Sequence, residues 1–297
     1  MTTTTRQCPA CQAACQEGDR FCEHCGAALP GAEERPEAGD RTALDLKVAA
    51  AVSDRGLVHR RNEDAFRLEV REDGSVAAVV CDGTSSASAG NAAAREAAVA
   101  AEAALSQALG APDRPAASAI AEAVGAAQEA VAFVPWTTRT MRVDPSCTLV
   151  CALCRPPEVA VGWVGDSRAY WVDSEDIVQL TVDDSLASEG VAKGLLTPEQ
   201  AAKSPFLHSI THWVGPNSPE RPPPSALVQP DRPGRLLLCT DGLWNYAATI
   251  GELSDLLGTV PAGAPAVDVA TMLVDAALAR GGHDNVTVAV IDFDPRR

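Results

Sequence analysis

The sequence predicts an α+β fold for one main domain, preceded by a small cysteine-rich module. Short apolar, β-rich runs and Ala-rich helical stretches occur in groups, which differs from the strict strand–helix alternation of a parallel α/β fold. Two long helical stretches, Asn91–Leu109 and Ala116–Val134, follow one another between strand-like runs. Half of the ten cysteines stand in the first 25 residues, which sets this segment apart from the rest.

Length and charge limit the classes of partner. The chain has 297 residues, enough to bury a core without a disulfide framework. Its net charge of −16 opposes binding to DNA or to an anionic membrane. It contains no apolar run of about 18 residues, and its first residues lack the apolar segment of a secretory signal. We therefore expect a cytoplasmic protein with no nucleic-acid partner and no membrane partner.

The N-terminal module, residues 1–30, carries two CxxC pairs: Cys8 with Cys11, and Cys22 with Cys25. Each CxxC turn directs two thiolates at one point, and two such turns complete the tetrahedron that Zn²⁺ prefers. The segment is too short to be stabilised by a core, so the metal would supply its folding energy. The alternatives are a redox pair or a disordered tail, and Cys15 and His24 are the spare candidate ligands. The spacing predicts one structural Zn²⁺, and the segment resembles a short bacterial zinc ribbon, a type of module that often docks a protein partner.

The main domain is predicted over residues 46–294, after a flexible linker at 31–45 that is rich in Gly, Pro and charge. The predicted strands are Val76–Val80, Thr148–Leu153, Val159–Val164, Ala169–Val172, Leu236–Cys239 and Val286–Ile291. Besides the two long helices, the predicted helices are Pro198–Lys203, Ile250–Leu257 and Ala266–Arg280.

Aspartates recur where these strands begin or end. Asp82, Asp166 and Asp241 each follow an apolar run, and Asp284 precedes the last one. Carboxylates that converge without a cation repel one another, and a hard divalent cation removes that cost. Oxygen ligands favour Mg²⁺ or Mn²⁺, and two such ions can activate water for attack on phosphorus. Asp-Gly alone is also a common hairpin turn, so the argument depends on the joint order of these residues.

That order resembles a known family. The motifs RNEDA (Arg61–Ala65), CDG (Cys81–Gly83), GDSRAY (Gly165–Tyr170), LCTDGLW (Leu238–Trp244) and GGHDNVTV (Gly281–Val288) resemble those of the PPM, or PP2C-type, protein Ser/Thr phosphatases. The resemblance covers about residues 47–293 and is strongest to the bacterial branch, which usually opposes Ser/Thr kinases. It implies a four-layer α-β-β-α sandwich, phosphoprotein substrates, and hydrolysis by water activated at a binuclear Mn²⁺ or Mg²⁺ centre.

The resemblance also implies roles for individual residues. Asp82 is similar to the aspartate that bridges two metals, and Gly83 to the backbone ligand. Asp241 and Asp284 are similar to the remaining carboxylates of that centre, so Asp82, Asp241 and Asp284 are the expected catalytic aspartates. The family also has an acidic pair near the metal waters and an aspartate at a third, weaker metal site. These correspond to Glu63 with Asp64, and to Asp166. Asn285 is expected to support its neighbours.

One position departs from the family. A phosphate-holding arginine usually stands five residues before the second acidic residue of the NED motif, and His59 stands there. An imidazole offers a phosphate fewer donors than a guanidinium does. Either His59 binds the phosphate, or the adjacent Arg60 or Arg61 does. Our hypothesis is that His59 contacts the phosphate and also protonates the leaving alkoxide.

Two competing functions remain open at this level. The domain could be a catalytically weak phosphoprotein-binding or scaffold module, a reading that only His59 favours, or it could hydrolyse a small phosphate ester at the same metal centre. Residues 180–215 correspond to the variable flap beside the family's cleft. In this segment His208, Thr211 and His212 are expected to pack near Trp213, with substrate contact as the alternative.

Three further cysteines, Cys147, Cys151 and Cys154, have the CxxxCxxC spacing of some iron–sulfur sites. That chemistry needs a flexible loop, and here the run is apolar and β-rich. Strand alternation places Cys147 and Cys151 on one face and Cys154 on the other, so we expect core residues.

Overall fold

Two antiparallel β-sheets form the centre of the computed structural model of this chain. The structure describes residues 5–7, 14–16, 41–84, 87, 89–135, 144–261 and 263–296. The strands are β1 (Thr5–Gln7), β2 (Ala14–Gln16), β3 (Arg41–Asp45), β4 (Ala49–Asp54), β5 (Asp64–Val70), β6 (Val76–Asp82), β7 (Leu149–Arg155), β8 (Glu158–Val164), β9 (Arg168–Val172), β10 (Ile177–Gln179), β11 (Ser225–Val228), β12 (Gly234–Cys239) and β13 (Val286–Phe293). The helices are α1 (Gly90–Leu109), α2 (Ala116–Ala132), α3 (Leu186–Ala192), α4 (Pro198–Ala201), α5 (Asp241–Trp244), α6 (Ile250–Leu257) and α7 (Ala266–Ala279).

The main domain has four layers. A six-stranded sheet has the order β10-β9-β12-β13-β4-β3, and a five-stranded sheet has the order β11-β8-β7-β6-β5. One core lies between the two sheets, and α1 and α2 pack on the outer face of the five-stranded sheet. Helices α6 and α7 cover the outer face of the other sheet. This arrangement confirms the predicted α+β class and the layer order that the resemblance implies.

Burial on both faces explains the continuous apolar runs of the central strands. In β6, Val76, Ala78 and Val80 enter the core between the sheets, and the alternate residues contact the helices. Such a strand needs no polar alternation. The same rule places Cys147 and Cys151 under the helices and Cys154 between the sheets, as predicted. All three of these cysteines are buried.

Several strands were not predicted, and one of them shortens the predicted linker. Arg41–Asp45 pair with β4 as an exposed edge strand, so the interval 31–45 extends too far and the sheet begins before residue 46. Residues 31–40 lie outside the described residues, as do Cys8, Cys11, Cys22 and Cys25. No helix among the described residues is long and apolar enough to cross a membrane.

Strand register brings the predicted aspartates to one edge of both sheets, here the edge formed by the ends of the strands. In the five-stranded sheet Asp64 and Asp82 are direct partners, and the ends of β6 and β8 flank the start of β7. In the other sheet Cys239, two residues before Asp241, pairs with Val288, near the start of β13. Cys239 also pairs with Arg168, two residues after Asp166. The sequence neighbours of all five aspartates therefore meet at this edge.

Candidate metal centre

Asp82 lies at the centre of a cluster of aspartates. Burial raises the pKa of Asp82 well above its usual value, and repulsion from four other aspartates raises it further. In order of effect these are Asp64, Asp241, Asp284 and Asp166. The structure thus brings together all the aspartates that the motifs single out. Such a set of carboxylates is costly unless protons or cations compensate it.

Two carboxylates of the cluster have oxygens that lack hydrogen-bond partners. Asp64 Oδ1 and Asp241 Oδ1 are buried, and neither has a partner among the described residues. Burial, followed by repulsion from Asp284, raises the pKa of Asp241 to about 7. Burial is also the main cause that raises the pKa of Asp64 to about 8. Buried oxygens without a donor fit a hard cation, which takes several oxygen ligands.

Asp64 is more central than its motif indicates. Thr240 Oγ1 and Thr287 Oγ1 both donate to its Oδ2 atom, at 3.0 Å and 2.7 Å. These hydroxyls fix one carboxylate oxygen of Asp64, and the other, Oδ1, receives no hydrogen bond from the described residues. The neighbouring Glu63 is positioned through its backbone: its N–H donates to Asn285 Oδ1 at 2.7 Å, and its carbonyl accepts from Gly83 N at 3.2 Å.

Two glycines allow the chain segments to approach closely at this edge. A Cβ atom on Gly83 would lie 2.5 Å from the backbone of Gly90 and 2.8 Å from the carbonyl oxygen of Glu63. A Cβ atom on Gly242 would lie 1.9 Å from the carbonyl oxygen of Asn285. Any larger residue would push the segments apart, so each Asp-Gly pair combines a carboxylate with close backbone packing.

Asn285 connects the segment 55–63 to the start of β13. Its Nδ2 donates to the carbonyl oxygens of Arg55, at 2.6 Å, and of Arg61, at 3.1 Å. The carboxamide therefore contacts three backbone groups of this segment, counting the N–H of Glu63. This is the supporting geometry that the sequence predicts for Asn285.

His59 contacts the cluster directly. Its Nε2 lies 3.3 Å from Asp284 Oδ1, and its side chain is about one-third exposed. The buried side chain of Arg55 donates to the carbonyl oxygen of His59 and so holds the backbone of this loop. Arg60 and Arg61 are exposed. Sequence reasoning missed Arg55, because its bond to His59 depends on the turn between them.

The flap segment, residues 180–215, contributes His208 to the surroundings of the cluster. His208 stacks on Trp244, with ring centroids 5.2 Å apart and an interplanar angle of 12°. Its Nδ1 lies 3.8 Å from Asp241 Oδ2. The expectation that His208 packs near Trp213 is therefore replaced by a position beside the cluster. Trp213 instead lines a cavity of about 240 Å³ together with His212 and Gln128.

Two ion pairs hold the start of this flap segment, and one of them, between Arg168 and Asp183, is buried. Arg168 binds both carboxylate oxygens of Asp183, with contacts of 2.7 to 3.3 Å, and its guanidinium lies 3.8 Å from the ring centroid of Trp244. Asp184 accepts from Gly165 N at 3.0 Å and forms an ion pair with Arg221. A bidentate, aromatic-stacked arginine of this kind is a strong local anchor. The flap thus begins from a rigid base next to Asp166.

The family is identified by its sequence profile. The profile of the family Protein phosphatase 2C matches residues 58–257. The chain belongs to the protein phosphatase 2C family. The match includes the loop of His59, the aspartates from Asp64 to Asp241, and the flap. Asp284 lies beyond the matched residues.

Proteins of similar sequence include bacterial protein phosphatases. The chain is 31% identical over 261 residues to the serine/threonine protein phosphatase PstP of Mycobacterium tuberculosis, covering 85% of this chain and 46% of PstP. It is 36% identical over 131 residues to the protein phosphatase PhpP of Streptococcus pneumoniae, covering 44% of this chain and 51% of PhpP. The chain spans about half the length of these curated relatives.

Solved structures share the fold. A crystal structure of the PstP catalytic domain in complex with two manganese ions aligns with a TM-score of 0.62 at 27% identity. The alignment covers 85% of this chain and 98% of that domain. The correspondence with a whole catalytic domain confirms the protein phosphatase 2C fold for the main domain.

Proposed function

We propose that this chain is a metal-dependent protein phosphatase that hydrolyses phosphoserine and phosphothreonine esters of proteins. The observation that carries the proposal is the partly buried aspartate cluster, in which two buried carboxylate oxygens, Asp64 Oδ1 and Asp241 Oδ1, have no hydrogen-bond donor among the described residues. Mn²⁺ or Mg²⁺ bound there would neutralise phosphoryl oxygens and supply a water of lowered pKa as the nucleophile. Two manganese ions in the related PstP domain support the assignment.

Different residues of this chain would bind the cations, position their ligands and bind water. Asp82, Asp64, Asp241 and Asp284 would hold two cations, with the carbonyl of Gly83 as an additional ligand, and Asp166 would hold a third. Thr240 and Thr287 keep the Asp64 carboxylate in one orientation. Glu63 would accept hydrogen bonds from water beside the centre. No side chain here has to act as a covalent nucleophile, because water attacks phosphorus directly.

His59 would contact the phosphoryl group from the rim of the cluster. Its bond to Asp284 places the imidazole beside a cation ligand, and the exposed Arg60 and Arg61 add positive charge on the same loop. These charges would attract a dianionic phosphopeptide locally, although the chain as a whole carries −16. Protonation of the leaving alkoxide by His59 would be a second role, and the kcat of His59→Arg distinguishes it from phosphate binding.

The test is phosphate release from a phosphothreonine peptide with Mn²⁺, Mg²⁺ or EDTA, using Asp241→Asn as the inactive variant and the exposed Asp231→Asn as its matched control. We expect turnover that depends on the cation, disappears in EDTA and in Asp241→Asn, and persists in Asp231→Asn. Cation binding without turnover would favour the phosphoprotein-binding module. Turnover of p-nitrophenyl phosphate but of no phosphopeptide would favour a small-ester hydrolase.

We also propose that residues 1–30 form a zinc ribbon that docks a protein partner. Strands β1 and β2 pair in antiparallel register, Thr5 with Gln16 and Gln7 with Ala14, and they flank the first CxxC pair in the sequence. A hairpin in this position supports the ribbon. Full-length protein should contain one zinc per chain by elemental analysis. Cys22→Ser should lose it and Cys15→Ser should keep it, whereas equal zinc in both variants would contradict the ribbon.

A further inference from the structure

We propose that His208 joins Asp166 and Asp241 in a mixed nitrogen–oxygen cation site that fastens the flap to the aspartate cluster. The inference rests on the proposed metal centre and adds to it a ligand from residues 180–215. It concerns a chain segment that is far from the aspartate motifs in sequence and is set beside them only by the fold.

The geometry of the three side chains suits one ion. One donor atom from each lies within 4.8 Å of the other two. Ligands bound at about 2.1 Å from a common cation stand about 3 to 3.5 Å apart, so a movement of about 1 Å would complete the site. His208 is half exposed and belongs to a loop, so it can make that movement, whereas Asp241 and Asp166 each lie two residues from the paired ends of β12 and β9.

The site already has an oxygen that needs a partner. Asp241 Oδ1 is buried and receives no hydrogen bond from the described residues. Its other oxygen is 3.4 Å from Asn245 Nδ2 and 3.8 Å from His208 Nδ1. Asp166 is also buried, and the most strongly repelling neighbour of its carboxylate is Asp241. A cation between these two carboxylates would compensate the negative charge of both.

Trp244 connects the imidazole to the aspartate. One face of its indole stacks with His208, and its Nε1 donates to the carbonyl oxygen of Asp166 at 2.9 Å. The ring orients a ligand from the flap and a ligand from the sheet edge at the same time. Such fixed neighbours are what orient metal ligands in proteins.

An imidazole changes which cation the site selects. Carboxylates and water suit Mg²⁺, whereas an added nitrogen ligand favours Mn²⁺ and, more strongly, Zn²⁺. The flap would therefore be held against the cluster when Mn²⁺ is bound and held less firmly with Mg²⁺. The cation would then help to set the shape of the cleft.

The experiment uses full-length protein loaded with Mn²⁺ and pulsed EPR, which detects the ¹⁴N coupling of a coordinated imidazole. His208→Gln removes the ligand, and His208→Phe removes it while keeping a ring to stack on Trp244. His212→Gln is the matched control from the same flap. We expect a coupling in the wild type that is absent from both His208 variants and unchanged in His212→Gln. We also expect the affinity of the weakest Mn²⁺ site to fall at least about 10-fold in both His208 variants.

A wild-type protein without imidazole coupling, or an unchanged coupling in both His208 variants, would overturn the site. Phosphopeptide turnover measured on the same samples separates this result from the proposed function. An active protein without the coupling would refute the His208 site alone. An inactive protein that shows the coupling would refute the phosphatase assignment alone.

Discussion

The clustered aspartates and the basic residues beside them are held in different ways. Asp64 and Asp82 are paired strand residues, and their relative position follows from sheet register. His59, Arg60 and Arg61 lie on a loop whose backbone is held by Arg55 and Asn285. A strand-borne group tolerates little displacement, whereas a loop-borne group can exchange its role with a neighbour. This difference fits the resemblance, in which the aspartates match the family's motifs and His59 does not.

The largest effect is expected from Asp82→Asn, which tests the strand-borne part. The substitution removes a carboxylate that four other aspartates repel and should reduce kcat by at least about 10³-fold, because metal stabilisation of the transition state is worth several kcal/mol. Isothermal titration with Mn²⁺ should show loss of tight binding in the same protein. A variant that keeps both tight binding and turnover would show that Asp82 is not shared between cations.

The second prediction concerns stability of the metal-free protein. A carboxyl whose pKa is raised in the folded state keeps a proton that the unfolded chain releases, so apo stability falls as pH increases. The window extends from the ordinary aspartate pKa near 4 to the raised pKa of about 8 for Asp64. We expect the apo Tm to decrease between pH 5 and pH 8, and the decrease to be smaller in Asp64→Asn, which resembles the protonated form.

The same measurement with saturating Mn²⁺ supplies the contrast. A cation holds the carboxylates ionised in the folded state, so the Tm should no longer decrease over this interval. The surface variant Asp231→Asn should follow the wild type in both conditions, since its carboxylate lies on an exposed turn. Equal pH slopes in the apo wild type and in apo Asp64→Asn would show that Asp64 is not protonated in the fold.

Much of the centre could be predicted because each aspartate adjoins an apolar run that becomes a strand. Prediction from the sequence fails for contacts between residues that are far apart in the chain. The motif RNEDA pairs Asp64 with Glu63 beside the expected metal waters, yet Thr240 and Thr287 hold the Asp64 carboxylate inside the cluster. The motifs and the flap segment include Arg168 and His208, but no local sequence signal shows which residues these two side chains contact. Their positions depend on Trp244, which contacts both and which follows β12, the strand that pairs with β9 in the same sheet.

The third prediction tests the loop-borne part with His59→Arg. A guanidinium forms two charge-assisted hydrogen bonds with a phosphate, so KM for a phosphothreonine peptide should fall about 10-fold. If His59 only binds the phosphate, kcat should stay unchanged. If the imidazole also protonates the leaving alkoxide, kcat should fall, and the loss should be smaller for p-nitrophenyl phosphate, whose leaving group needs no proton. An unchanged KM together with an unchanged kcat would place the imidazole outside the substrate site.

The smallest effect is expected from Arg61→Ala. Its carbonyl remains bonded to Asn285, so the substitution removes an exposed charge and leaves the loop in place. Exposed charges contribute little, and we expect KM to increase about 2- to 5-fold at low salt. The increase should disappear at high ionic strength, where exposed charges are screened. Arg67→Ala, an exposed arginine further along β5, should leave KM unchanged. An equal increase in both variants would mean that overall charge, rather than the loop beside His59, attracts the phosphopeptide.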